Sequence, residues 1–333
     1  MAGVTLMLVV VLVLAVFFDY TNGFHDTANA IATSVATRAL APRYAIVMAT
    51  TFNFVGAFAG TAVATTIGAG LVDPTTSTTS VVAAALLGAI SWNLLTWWLG
   101  LPSSSSHSLI GGLLGATLVA AGPSAFIPGG IWAKVLFPMV TSPLVGFVVA
   151  LVLILVLFWV FRGARRRPMT AAFRRLQVVS AGFMAFSHGS NDAQKTMGII
   201  TLALFTAGLI PTIAVPYWVI IVSATAISAG TAVGGWRIMH TMGHRVVKLE
   251  PVHGFAAETA ASGVILTAAH FGAPVSTTHV IAAAIMGVGS SRGLRAVRWG
   301  VARSILVAWV VTIPAAGAVA AGAWLILNAL GLQ

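Results

Sequence analysis

The sequence predicts an all-α polytopic membrane protein made of two inverted-topology repeats, each with a broken helix and a re-entrant helical hairpin. Three observations predict it. Of the 333 residues, 59% are hydrophobic and only 7% charged, with a mean hydropathy of +1.00, too apolar to surround a water-soluble core. Lysine and arginine gather in a few clusters between apolar stretches. Two short polar motifs each occur twice, at nearly the same separation.

The apolar stretches come first. Segments such as 44–66 and 135–161 reach or exceed the roughly 20 residues that span a bilayer as helix. The segment 4–18 has no basic region before it and no small-residue cleavage site, so it is expected to be part of a retained helix rather than a signal peptide. There is no cysteine, which excludes disulfides, thiolate catalysis and cysteine-bound metals.

A net charge of +11 in a soluble protein would point to nucleic acid. Here the basic residues lie between apolar segments: Arg38 and Arg43, six arginines within 162–175, then Arg237, Arg245 and Lys248, and a last group from Arg292 to Arg303. That is the pattern of cytoplasmic loops under the positive-inside rule, so the expected partner is the lipid bilayer and not nucleic acid.

The repeats set the organisation. Pro102 precedes His107 by five residues across a hydroxyl run, as Pro274 precedes His279; Gly23 precedes Asp26 by three residues, as Gly189 precedes Asp192. The separations are 166 residues for the aspartates and 172 for the histidines, close to half the chain. An internal duplication follows: a first repeat over 1–161 (broken helix at 19–29, hairpin tip 102–107), a basic cytoplasmic linker over 162–175, and a second repeat over 176–333 (broken helix at 187–195, hairpin tip 274–279). If both hairpins turn back inside the membrane, all basic clusters fall on the cytoplasmic side. The outer connections 67–80, 121–131 and 209–215 then contain no lysine or arginine, with Lys134 as the exception. The halves are thereby inverted, the architecture of secondary transporters.

Chemistry concentrates at the motifs. A carboxylate near a helix centre costs about 2.5 to 3.5 kcal/mol on insertion scales, so Asp26 and Asp192 need a purpose. With His25, Asn29 and Asn191 they form a co-ion set. The oxygens of Asp26, Asn29, Asn191 and Asp192 suit sodium, and the carboxylates equally suit a proton. The plainer alternative is that these groups only satisfy one another where two helices unwind. Pro102 and Pro274 suit the first turn of a half-helix, so the hydroxyls that follow, Ser104, Ser105, Ser106, Ser276, Thr277 and Thr278, would sit at positive helix ends as an anion site. Ordinary capping is the alternative there. His107 and His279 either donate to the anion or fix the tips. Gln194 and Lys195 are grouped with the anion site, and Lys195 also stands one turn from Asp192. Glu258 is an intramembrane acid without a first-half counterpart, either relaying a cation or pairing locally. The tryptophans read as interface anchors.

At these motifs the chain resembles the PiT family of inorganic phosphate transporters. The carriers are the segments 22–30 (NGFHDTANA), 187–195 (SHGSNDAQK), 101–107 (LPSSSSH) and 274–279 (PVSTTH), spread over nearly the whole chain. The resemblance implies import of inorganic phosphate by symport with a sodium ion or proton, no resident cofactor, no enzymatic activity, and a site enclosed by two hairpin tips and two broken helices, often in a dimer of the cell membrane. Where many members carry Asn-Asp, this chain has His25-Asp26. It is in this similar to the bacterial low-affinity branch, which implies proton coupling and transport of metal–phosphate complexes. Sulfate permeases share the fold, so a sulfate or other oxyanion symporter and an anion channel are the alternatives. A serine hydrolase built on Ser105 or Ser106 lacks the nucleophile-elbow motif.

Overall fold

The computed structural model describes residues 6–332; the expected start of the first helix at residue 4 lies outside them. The described residues form helices joined by loops, with no strand and one isolated bridge between Val72 and Phe126. In chain order the helices are α1 (Leu6–Ala36), α2 (Pro42–Gly56), α3 (Ala62–Ala69), α4 (Thr79–Leu99), α5 (Ser105–Ala121), the single turn α6 (Pro128–Gly130), α7 (Phe137–Val160) after a π-turn, α8 (Arg166–Thr206), α9 (Tyr217–Val233), α10 (Trp236–His240), α11 (Pro251–His270), α12 (Thr277–Ser290) and α13 (Trp299–Ala329). Among the described residues, four stretches are long and apolar enough to cross a membrane alone: α1, α4, the run Pro128–Val160 and α13.

The breaks are not where the motifs put them. α1 runs unbroken through 19–29 and α8 through 187–195. It is the second helix of each half that breaks: α2 ends at Gly56 and α3 resumes at Ala62, and α9 is bent by 62° from the helix that follows it, across Gly234 and Gly235. Gly234 sits at φ +79°, which an L side chain resists. The physical reason is that the side chains of Asp26, Asn29, Asp192 and Lys195 find partners on other elements, so the backbone ladders of α1 and α8 survive. The basic segment 162–175 is also only partly a linker, because α8 begins at Arg166.

Packing crosses between the halves. α1 lies chiefly against α9 and α8, and α8 against α11 of its own half as well as α2, α1 and α3; α13 covers the α4–α5 pair, and α7 covers α12 and α11. The motif glycines allow this. A Cβ on Gly23 would stand 2.2 Å from the Ile227 carbonyl on α9, and one on Gly189 2.2 Å from the Asn53 carbonyl on α2. Small residues let membrane helices approach to this degree.

α1 and α8 are antiparallel, with Thr37 bonded to Gln177 at one end and Asp19 beside Thr196 towards the other. The connections free of lysine and arginine lie past the C-terminal end of α8: Asp73 N–H donates to Ala125 O at 2.8 Å, and Ile213 packs at Gly68. At the opposite end Glu250 pairs with Arg292 at 2.8 Å and with Arg166 at 3.2 Å. The α4–α5 pair is rooted at the first end and the α11–α12 pair at the second. Lys134, the exception in the charge pattern, donates to Phe271 O at 2.7 Å, the C-cap of α11.

Candidate functional site

The two tips touch. Ser106 Oγ of the first donates to Val275 O of the second at 3.2 Å. Each tip starts its helix in the same way, with Ser104 accepting from His107 N–H at 3.1 Å and Ser276 from His279 N–H at 3.2 Å. These serines are N-caps, and the prolines stand two residues before them rather than in the first turn. A cap needs a side-chain oxygen able to reach the third amide, which proline lacks.

With Ser104 and Ser276 committed, the next hydroxyls face the acids. The Ser105 hydroxyl shares its one proton between Asp26 Oδ2 at 2.9 Å and Asn22 Oδ1 at 2.7 Å. Thr278 donates to Asp26 Oδ1 and Thr277 to Asp192 Oδ2, each at 3.3 Å. Asn29 donates to Thr278 at 2.9 Å. Lys195 bridges Asp192 and Ser106. Two histidines complete the centre: His25 Nδ1 lies 2.6 Å from Asp26 Oδ1, and His188 Nε2 lies 3.4 Å from Asp192 and 3.9 Å from Asp26. Every one of these side chains is at most 2% exposed. A lysine with two carboxylates, each also bonded by hydroxyls, is how a membrane interior tolerates such charge.

Four expected site residues lie elsewhere. Gln194 reaches the break between α2 and α3, where its Oε1 accepts from Val63 N–H at 2.8 Å and Ala64 N–H at 3.4 Å, satisfying amides orphaned at the start of α3. His107 and His279 meet edge to face at 4.6 Å, and His279 stacks on Trp309 at 3.8 Å, forming a brace between the tips and α13. Glu258 accepts from Thr33, Ser180 and Gln177, two helical turns along α1 from Asp26. Asn191 is near the centre; its amide donates to Ala273 O at 3.3 Å in the second tip.

Thr96, together with Ser103 of the first hydroxyl run, holds the far nitrogen of His25 at 3.1 and 3.4 Å, and Asn53 holds His188 at 3.0 Å. Thr96 and Asn53 are not among the expected site residues; their signal is polarity inside an apolar helix, which nothing in the repeat pattern singles out. Asp19, fully buried on α1, carried the same signal as Asp26 without a counterpart, since residue 185 is alanine.

The model of a phosphate transporter family, PHO4, matches residues 22–320. Proteins named probable low-affinity inorganic phosphate transporters are similar to the chain: that of Rhizobium meliloti is 50% identical over 95% of each chain, that of Bacillus subtilis 44% identical over 97% of this chain and 98% of its own, and that of Mycobacterium tuberculosis 47% identical over 98% of this chain and 78% of its own. A solved structure described as the sodium-dependent phosphate transporter superposes with a TM-score of 0.88 at 25% identity, covering 98% of this chain and all of that one. With two hydroxyl-bearing helix starts closing on a lysine and a carboxylate pair, and with these likenesses over nearly its full length, the chain belongs to the phosphate transporter family.

Proposed function

We propose that the protein imports inorganic phosphate across the cell membrane by symport with protons, through two halves of inverted orientation whose hairpins re-enter the bilayer from opposite faces. One observation carries the reading: two hydroxyl-lined helix N-termini, rooted at opposite ends of the molecule, meet over Asp26, Asp192 and Lys195. α4 has 21 residues, enough to cross alone. What supports re-entry is that Thr96, near its end, bonds His25, which lies towards the middle of the 31-residue α1. The relatives' names support phosphate as the substrate.

The mechanism follows from who holds the hydroxyl protons. Helix N-termini, hydroxyls and an ammonium group make a site for a tetrahedral oxyanion. In the closed site Ser105, Thr277 and Thr278 spend their protons on the two carboxylates. A phosphate charge about 4 Å from an ionised carboxylate costs about 4 kcal/mol at an effective dielectric of about 20. Protons delivered to Asp26 and Asp192, with His25 and His188 alongside to pass them, remove that repulsion and release the hydroxyls to turn to phosphate. The loaded site then permits the halves to rock.

A sodium co-ion is the second reading, and specific observations favour it. The amide oxygens of Asn29 and Asn191 are buried without a donor, and atoms of Asp26, His188 and Asp192 lie within 4.8 Å of one another, a hard-ligand set. Radiolabelled phosphate uptake into liposomes under separate pH and sodium gradients, with sulfate as competitor, tests substrate and co-ion together. Proton-driven uptake that Asp26→Asn abolishes is expected; uptake intact in Asp26→Asn rejects the proposal.

A further inference from the structure

Seven residues before Asp26, about 10 Å along the helix axis, α1 carries a second carboxylate on the side of the Lys/Arg-free connections. Asp19 is 0% exposed. Thr196 and Asn22 are the side chains facing it, yet neither reaches hydrogen-bonding geometry with Asp19 Oδ1 or Oδ2, and the Thr196 hydroxyl and the Asn22 amide nitrogen are themselves buried without partners. The charged groups near it are Asp192 and Lys195 on α8, and Lys195 is engaged by Asp192 and Ser106. Packed against this part of α1, helices α4 and α9 carry no charged residue.

From this geometry we infer that Asp19 is a proton-binding site of the transport cycle, on the Lys/Arg-free side of the central acid pair. A bare carboxylate with no donor in an apolar interior is far costlier than its protonated form. A metal ion is a poor occupant: Asp19 and Thr196 offer three oxygens, the Asn22 oxygen is already taken by Ser105, and hard cations want about six. Asn22 stands between the two acids, its oxygen tied through Ser105 to Asp26 and its amide nitrogen unspent. Loading Asp19 is therefore felt at the central pair, and each turnover carries one proton more than that pair alone would take. This rests on proton-coupled phosphate transport as proposed above.

The test compares the reconstituted wild type with Asp19→Asn and Asp19→Glu, at clamped zero membrane potential, with choline in place of sodium. A proton lost from the stoichiometry lowers the steady-state phosphate accumulation about tenfold for a pH gradient of about one unit. The expected result is that fall in Asp19→Asn with phosphate–phosphate exchange persisting, and wild-type accumulation in Asp19→Glu. Wild-type accumulation in Asp19→Asn overturns the inference, as does loss of exchange together with accumulation in a folded Asp19→Asn. If Asp19→Asn does not fold, infrared spectra of the resting protein decide: a protonated-carboxyl band that Asp19→Glu displaces supports the site, and no such band overturns it. A wild type that carries no phosphate sinks the transport reading, while the infrared band still judges Asp19.

Discussion

The first and second helices of each half make an instructive pair. α1 and α8 hold nearly all the buried charge of the molecule and run straight through it for 31 and 41 residues. Their neighbours in sequence, α2–α3 and α9–α10, carry less buried charge and are the ones that break. Polarity does not interrupt a helix when its side chains are answered across the interface. A break appears where the freed backbone groups can be answered, as Gln194 answers the amides of Val63 and Ala64, and where glycine relieves the turn.

That contrast can be broken from its charged side. Lys195→Met leaves Asp192 without its ammonium partner, and removing one member of a buried pair costs about 3–5 kcal/mol. Phosphate uptake should fall at least about 100-fold, with a lower melting temperature in detergent. Near-normal uptake would show that the lysine only compensates charge. The interlocking of the halves is tested by Gly189→Ala, whose new methyl meets the Asn53 carbonyl at 2.2 Å. Overpacking of this kind costs about 1–3 kcal/mol, and Gly23→Ala at the matching position should behave alike; two unequal shifts in melting temperature would deny the equivalence. On the uncharged side, Gln194→Leu strips two helix amides of their acceptor, a loss of about 1–3 kcal/mol. Faster amide exchange at Val63 and Ala64, with the central network unperturbed, is the expected signature.

The smallest effect belongs to the basic end. Burial works to raise the Glu250 carboxyl, but Arg292 and Arg166 outweigh it and hold it below the usual carboxylate range. A group depressed in the folded state contributes stability above its unfolded pKa and loses it as pH falls through the folded value. Glu250→Gln should therefore cost less than about 1 kcal/mol near neutrality, screened by salt, and nothing in strongly acidic solution. A loss that persists in strong acid would place the effect outside the ion pairs.

Much of the site was legible because its residues are anomalies. Asp26, Asp192 and Lys195 are charges inside apolar helices, and the hydroxyl runs recur at matching positions. Gln194 was misplaced because its neighbours in sequence all belong to the centre, while its own side chain leaves the opposite face of the helix turn. His107 and His279 carry a motif position but spend their rings on each other, 172 residues apart in the chain, and His279 also on Trp309.

The sequence by itself determined the solvent, the helical class, the duplicated motifs and the acids that demand a purpose, since hydropathy, charge placement and residue type are local properties. Only the tertiary structure decided where the helices break, which serines cap and which face the central acids, and that Asp19 has no donor while Glu258 has three. The reason is that satisfaction of a buried polar group depends on what stands opposite it. Across these interlocked halves the opposite group is often more than a hundred residues away in the chain.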